Sequence, residues 1–257
     1  MNYDAFIFDV DGVLIDTSQS FSSAVLNAIE QMTHSSIFQM NHYNSLKELS
    51  GFNNDWDVAI AGAAWIKYYP ETSFGSFLEM ATEAISELPN SFIKTISRLA
   101  MESYGGNTAC EQLYGFKPSS IQIDGMWKNE KPHLKRKDIE TILPISGIVT
   151  GRNKTEMKLG FKILGWELPD SRVAISDNPK LDKPNPEKLL NMVSKMSCQS
   201  PIYFGDSIDD YLLVKNFNEQ SKTHMEFCCV GENNQIPVWN YKVKTIMDFF
   251  KTDGANS

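Results

Sequence analysis

The sequence predicts an α/β protein: a parallel sheet with helices on both faces, interrupted by an all-helical insertion. Three observations carry this. Short apolar runs at 5–8, 145–149, 172–176, 201–204 and 225–230 read as buried strands, and from about residue 140 they alternate with helical patterns. Between the first and second runs, over 17–138, the apolar residues recur at helical spacing and no convincing strand occurs. Polar clusters directly follow the runs, where a parallel sheet presents the carboxyl ends of its strands and binds ligands.

Taken in order, 5–8 is the first strand, and apolar or small residues at 21, 24, 25, 28, 29 and 32 predict a helix over 21–32. A weaker helix is predicted over 37–50. Asn54 or Asp55 caps the next, which carries Val58, Ala59, Ala61, Gly62, Trp65, Ile66 and Tyr69 on its apolar positions. Helices over 73–87 and 89–104 follow, the second opened by Pro89 and stopped by Gly105-Gly106. Residues 107–114 read as a short helix closed by Gly115. The stretch 116–140 is polar and basic, predicting short helices and a return linker.

After the strand at 145–149, Asn153 and Glu156 have capping-box spacing for a helix over 153–165. A third strand is expected over 172–176, and Asn185, Pro186 and Glu187 open a helix to Met196. The fourth strand, 201–204, leads through GDSIDD into a helix ending near 217. A fifth strand over 225–230 and a closing helix over 241–250 complete the reading. The core is therefore expected from 1–16 with 139–257, and the helical domain from 17–138.

Length and composition set limits. A chain of 257 residues holds one α/β domain and a smaller one, each with its own core. A net charge of −8 argues against nucleic-acid binding through a basic surface, while leaving room for a small anionic substrate in a local pocket. The four cysteines (110, 198, 228, 229) form no C-x-x-C and read as buried free thiols of a reducing compartment. The histidines show no zinc spacing. No secretory signal or spanning segment is visible, so the expectation is a cytoplasmic protein without membrane attachment. Monomer and homodimer are both compatible with the apolar helices.

The first strand ends in Asp9-Val10-Asp11-Gly12. Two carboxylates two residues apart point the same way on an extended backbone, and burying them together is costly without a cation. A divalent metal is the economical explanation. DVDGVLID resembles the first motif of the haloacid dehalogenase-like hydrolase superfamily, most of whose members are magnesium-dependent phosphatases with an aspartate nucleophile. The later motifs resemble it too: Thr150-Gly151 the second, Lys183 in DKPNPE the third, and GDSIDD the fourth. The helical insertion resembles the cap of phosphoglycolate phosphatase-like members, although it is longer than most.

The resemblance implies a haloacid dehalogenase-like, Rossmann-like core plus cap, with Mg2+ as cofactor. It implies Asp9 as nucleophile and Asp11 as general acid and then base, with the Asp11 backbone carbonyl helping to hold the metal. Thr150 and Gly151 would hold a phosphoryl oxygen. Arg152 has two readings, substrate contact or surface ion pair. Lys183, with Lys180 as rival, would offset charge beside Asp9. Asp206 would ligate metal, as would Asp210, with Asp209 as rival. Asn53, Asn54 and Trp56, in the loop before a helix, are candidate substrate contacts, and equally a helix cap and a core tryptophan. The Gly105-Gly106 turn is a second candidate pocket loop.

The expected activity is hydrolysis of a small phosphorylated metabolite, a sugar or another small alcohol phosphate. A phosphomutase, or a hydrolase of nucleotides or anhydrides, is the alternative on the same scaffold. A non-catalytic phosphate-binding protein would be expected to lack Asp9, Asp11 or Lys183, and all three are present.

Overall fold

The computed structural model describes residues 3–49, 51–52, 54–233 and 235–254. The chain forms two compact units, one of 1–16 with 131–257 and one of 17–130.

The first unit is built on six parallel strands: β1 (Ala5–Phe8), β4 (Ser146–Val149), β5 (Val173–Ala174), β6 (Pro201–Gly205), β7 (Glu226–Val230) and β8 (Tyr241–Val243), in the order β5-β4-β1-β6-β7-β8. A separate antiparallel pair joins β2 (Ile15–Asp16) to β3 (Lys131–Pro132). Alternate residues of the buried strands serve opposite faces. Phe6, Phe8, Ile148, Ile202 and Phe204 lie in one apolar cluster with α7 (Lys154–Leu164) and α10 (Ile246–Gly254). Ala5, Ile7, Val149, Tyr203 and Phe227 lie in the other with α8 (Glu187–Met196) and α9 (Ile208–Gln220). Cys228 and Cys229 divide between the two faces, and all four cysteines are buried free thiols. The fold class is therefore a Rossmann-like parallel sheet flanked by helices, with a helical insertion.

Residues 131–139 pack with this unit. The His133 N–H donates to the Leu14 carbonyl at 2.8 Å, Leu134 joins the core, and Trp166 Nε1 donates to the Leu134 carbonyl at 3.0 Å. A short helix α6 (Arg136–Ile139) follows.

The second unit holds α1 (Phe21–Thr33), α2 (Met40–Lys47), α3 (Asp55–Tyr68), α4 (Phe74–Ser86) and α5 (Asn90–Tyr114). Small side chains let α3 be the central helix: every residue from Val58 to Ala64 is buried. The helices expected over 89–104 and 107–114 both form; they follow one another within α5, parted by a kink at Gly106, whose φ 55° and ψ −163° are non-helical. That kink is where Gly105 and Gly106 lie against Asp124 and Gly125, so their local role is tight backbone packing.

Three expectations are corrected. The closing helix does not begin at 241: Tyr241–Val243 is the sixth strand, because β7 otherwise leaves a row of backbone groups unpaired. The third strand is only Val173–Ala174, since Asp170–Arg172 turns as a 3-10 segment. The β2–β3 pair was not foreseen, two residues being too few to show a period.

Candidate active site

The central strand β1 is flanked by β4 and β6, the point where strand order reverses and open α/β sheets form their ligand crevice. Register brings the motifs level: Phe8 pairs with Ile148 on one side and Phe204 on the other, and the Asp9 N–H donates to the Phe204 carbonyl at 2.9 Å. Asp9, Thr150 and Asp206 thus emerge from three adjacent strand ends.

The chain then turns sharply. The Leu14 and Ile15 N–H groups both donate to the Val10 carbonyl, and Gly12 sits at φ 74°. Glycine is required here twice over. The left-handed backbone disfavours a side chain, and a Cβ would stand 2.1 Å from Asp206 Oδ2. Gly205 shares only the close approach, since its Cβ would lie 2.3 Å from Asp210 Cβ.

Lys183, not Lys180, reaches this cluster. Its Nζ is 2.8 Å from Asp9 Oδ1 and 2.8 Å from Asp210 Oδ1. Burial alone would pull the Lys183 ammonium down, but Asp210 and Asp9 outweigh it and hold it charged. The loop that delivers it is tied by Lys188, whose Nζ contacts the Ile175 carbonyl at 2.6 Å, Asp177 at 2.7 Å and Asp182 at 3.0 Å.

Asp210, rather than Asp209, joins Asp9 and Asp206 in a group whose oxygens lie within 4.8 Å of one another. Asp210 is fully buried and anchored: Oδ1 accepts from Lys183 and from Tyr203 Oη at 2.8 Å, and Oδ2 accepts from Ser207 Oγ at 2.6 Å and the Ser207 N–H at 3.2 Å. Ser207 and Asp210 form the capping box of α9. Tyr203 and this box escaped the sequence reading. The S-x-x-D spacing was a visible signal for the box, while a tyrosine inside an apolar strand gave none for its partner.

The Asp11 carboxylate stands apart from that group and faces Arg152, whose Nη2 is 2.6 Å from its Oδ1. Arg152 is thus neither exposed nor on the surface. Thr150 Oγ1 accepts the Arg152 N–H at 3.1 Å, so its own O–H remains able to donate. Gly151 is exposed. In the second unit, Asn54 Oδ1 caps α3 by accepting the Trp56 N–H at 2.9 Å, and Trp56 packs edge-on against Phe21 and Tyr104. Asn53 lies outside the described residues.

The donor set fits a hard divalent cation, which takes carboxylate oxygens. Its electrostatics ask for one. Burial, with repulsion from Asp210, Asp206 and Asp11, raises Asp9 well above the usual carboxylate range despite the opposing Lys183. Burial and Asp210 push Asp206 up to about 7. One ammonium among two buried carboxylates and a half-buried one leaves negative charge uncompensated, and a divalent ion supplies the balance.

The architecture is the haloacid dehalogenase-like fold, a Rossmann-like core with a helical insertion, and comparison with solved structures agrees. A phosphatase from Thermococcus thioreducens superposes with a TM-score of 0.70 at 23% identity, over 98% of this chain and 99% of its own. A hydrolase from Pseudomonas syringae gives 0.55 at 14%, over 98% of each chain. A HAD hydrolase, family IA, variant 3, from Entamoeba histolytica gives 0.51 at 13%, over 96% of this chain and 99% of its own. At such identities the likeness establishes the fold alone. By sequence, no family model and no curated protein matches.

Proposed function

We propose that this protein is a magnesium-dependent phosphatase that hydrolyses a small phosphate monoester through an aspartyl-phosphate on Asp9. The observation that carries the reading is the Asp9 carboxylate, at the end of the central strand, 2.8 Å from the half-buried Lys183 ammonium and grouped with Asp206 and Asp210. Phosphoryl transfer demands an in-line nucleophile and fixed positive charge around the equatorial oxygens, and this cluster offers both.

In the first step an Asp9 oxygen attacks phosphorus, the ester P–O bond breaks, and the leaving oxygen takes a proton from the Asp11 carboxyl. In the second, the Asp11 carboxylate accepts a proton from water as that water attacks phosphorus. The bond from phosphorus to Asp9 then breaks, releasing inorganic phosphate and the free carboxylate. Lys183 compensates the nucleophile and the transferring group, while the Thr150 hydroxyl and the Gly151 N–H donate to phosphoryl oxygens. Asp9, Asp206, Asp210 and the Asp11 carbonyl are the groups assigned to hold Mg2+, which when bound neutralises the phosphoryl oxygens and the carboxylates around them.

The test is phosphate release from a broad panel of phosphorylated metabolites, with magnesium and with chelator, beside Asp9→Asn. Release from a few related esters, lost under both controls, supports the reading and names the substrate class. A folded protein that releases nothing, yet exchanges phosphate between sugar phosphates, would make it a phosphomutase.

A further inference from the structure

Arg152 carries an inference that deepens this reading and rests on it. The side chain is 2% exposed, although it leaves a loop at the sheet's edge of strand ends. Nη2 is 2.6 Å from Asp11 Oδ1, and Nε is 3.0 Å from Oδ1 and 3.3 Å from Oδ2. The backbone beneath is pinned on both sides: its N–H donates to Thr150 Oγ1 and its carbonyl accepts the Ser176 N–H at 2.9 Å. The guanidinium then folds back over α7 at Gly160, where a Cβ would stand 3.3 Å from Nη1. A residue with no side chain at that helix position gives the guanidinium its seat.

The contact is asymmetric in two ways. The guanidinium is buried, while the Asp11 side chain remains 33% exposed, so one side of the carboxylate is open to an incoming group. Two of the three contacts fall on Oδ1, and Oδ2 has only the longest. A planar fork fixes the plane of a carboxylate as well as its position, which the point charge of a lysine does not. Lys183 does not contact Asp11 at ion-pair distance, so the two carboxylates of the first motif each have their own cation.

We infer that Arg152 is the positioning residue of the general acid/base: it grips Asp11 through Oδ1 and presents Oδ2 as the oxygen that gives the proton to the leaving group and later takes one from water. Arg152 itself gains and loses no proton, and it touches neither substrate nor phosphorus in these steps.

The test uses leaving-group dependence in the full-length protein with magnesium. kcat/KM, which reports the step that breaks the ester bond, is measured for p-nitrophenyl phosphate and for an alkyl phosphate, in the wild type and in Arg152→Met, Arg152→Lys and Gly160→Ala. A p-nitrophenolate departs without a proton, whereas an alkoxide needs one. The ratio of alkyl to aryl kcat/KM is expected to fall about 100-fold in Arg152→Met, the scale of general acid catalysis. Arg152→Lys is expected to recover less than about a tenth of that loss, and Gly160→Ala to shift the ratio the same way by a smaller factor. Equal losses on both esters, with the ratio unchanged, would make Arg152 a structural residue and overturn the inference while leaving the phosphatase reading intact. If Arg152→Met does not fold, the ratio in Gly160→Ala decides in the same sense. A wild type inactive on both esters and on the metabolite panel would overturn the phosphatase reading and this inference with it.

Discussion

Lys183 is the side chain on which two buried carboxylates depend, with one nitrogen 2.8 Å from both Asp9 and Asp210. Lys183→Met leaves those charges without their cation, and a cost of about 3 kcal/mol is expected in urea unfolding, the lower end for a broken buried pair because Asp9 can take up a proton instead. Asp9→Asn should behave in the opposite way. It removes a carboxylate that burial and three like charges already raise, so the metal-free variant is expected to be at least as stable as the wild type. Its kcat should fall by about four orders of magnitude or more, as happens when a nucleophile is lost. A destabilised Asp9→Asn with appreciable phosphate release would contradict both expectations. At this scale the sequence was legible wherever a residue follows a strand in a motif. It singled out Arg152 but not its partner, and it passed over Tyr203, because the partners Asp11 and Asp210 are chosen by register and side-chain direction rather than by spacing.

Among the elements, the turn after β1 is the tightest constraint. Gly12→Ala places a methyl where Asp206 Oδ2 lies and forces a left-handed backbone on alanine. A loss of about 1–3 kcal/mol is expected, together with weaker Mg2+ binding by titration calorimetry, since Asp206 must move. In the insertion, α5 depends on Glu102, fully buried and accepting from the Ser120 N–H at 2.8 Å, the Ile121 N–H at 3.0 Å and Arg98 Nε at 3.0 Å. Burial raises this carboxyl, but the Ser120 amide, Arg98 and the neighbouring donors prevail and lower it. The stability it contributes is therefore present above the unfolded value of 4.5 and lost as pH falls through the lower folded value. Glu102→Gln is expected to cost about 1–3 kcal/mol at neutral pH and to flatten the acid limb of the unfolding profile. The break at Gly106 was legible from its glycine pair, whereas the strand at Tyr241–Val243 was not. Three residues do not display a period, and the open edge of β7 decided that case.

For the whole molecule, the group of Asp9, Asp206 and Asp210 links stability to pH and metal. Asp206 binds its proton more tightly folded, at about 7, than unfolded, at 3.8, so its contribution is full below 3.8 and is lost as pH rises through about 7. Mg2+ should reverse that loss. Thermal unfolding with and without the ion is expected to show a stabilisation that is larger at about pH 8 than at about pH 5.5, approaching 2.7 kcal/mol at a hundredfold excess over Kd. A magnesium effect that did not grow with pH would count against a cation bound at Asp206.

Sequence alone determined the alternation of buried runs with amphipathic helices, and hence the parallel sheet, the helical insertion and the strand ends that carry polar residues. Such features are local, because burial and periodicity are written residue by residue. Only the tertiary structure decided which carboxylate meets which cation. Lys183 goes to Asp9 and Asp210, and Arg152 goes to Asp11, because strand register, the turn at Gly12 and the room at Gly160 fix distances between residues far apart in the chain. Charge pairing falls off over a few ångströms, and no one-dimensional spacing encodes separations that small.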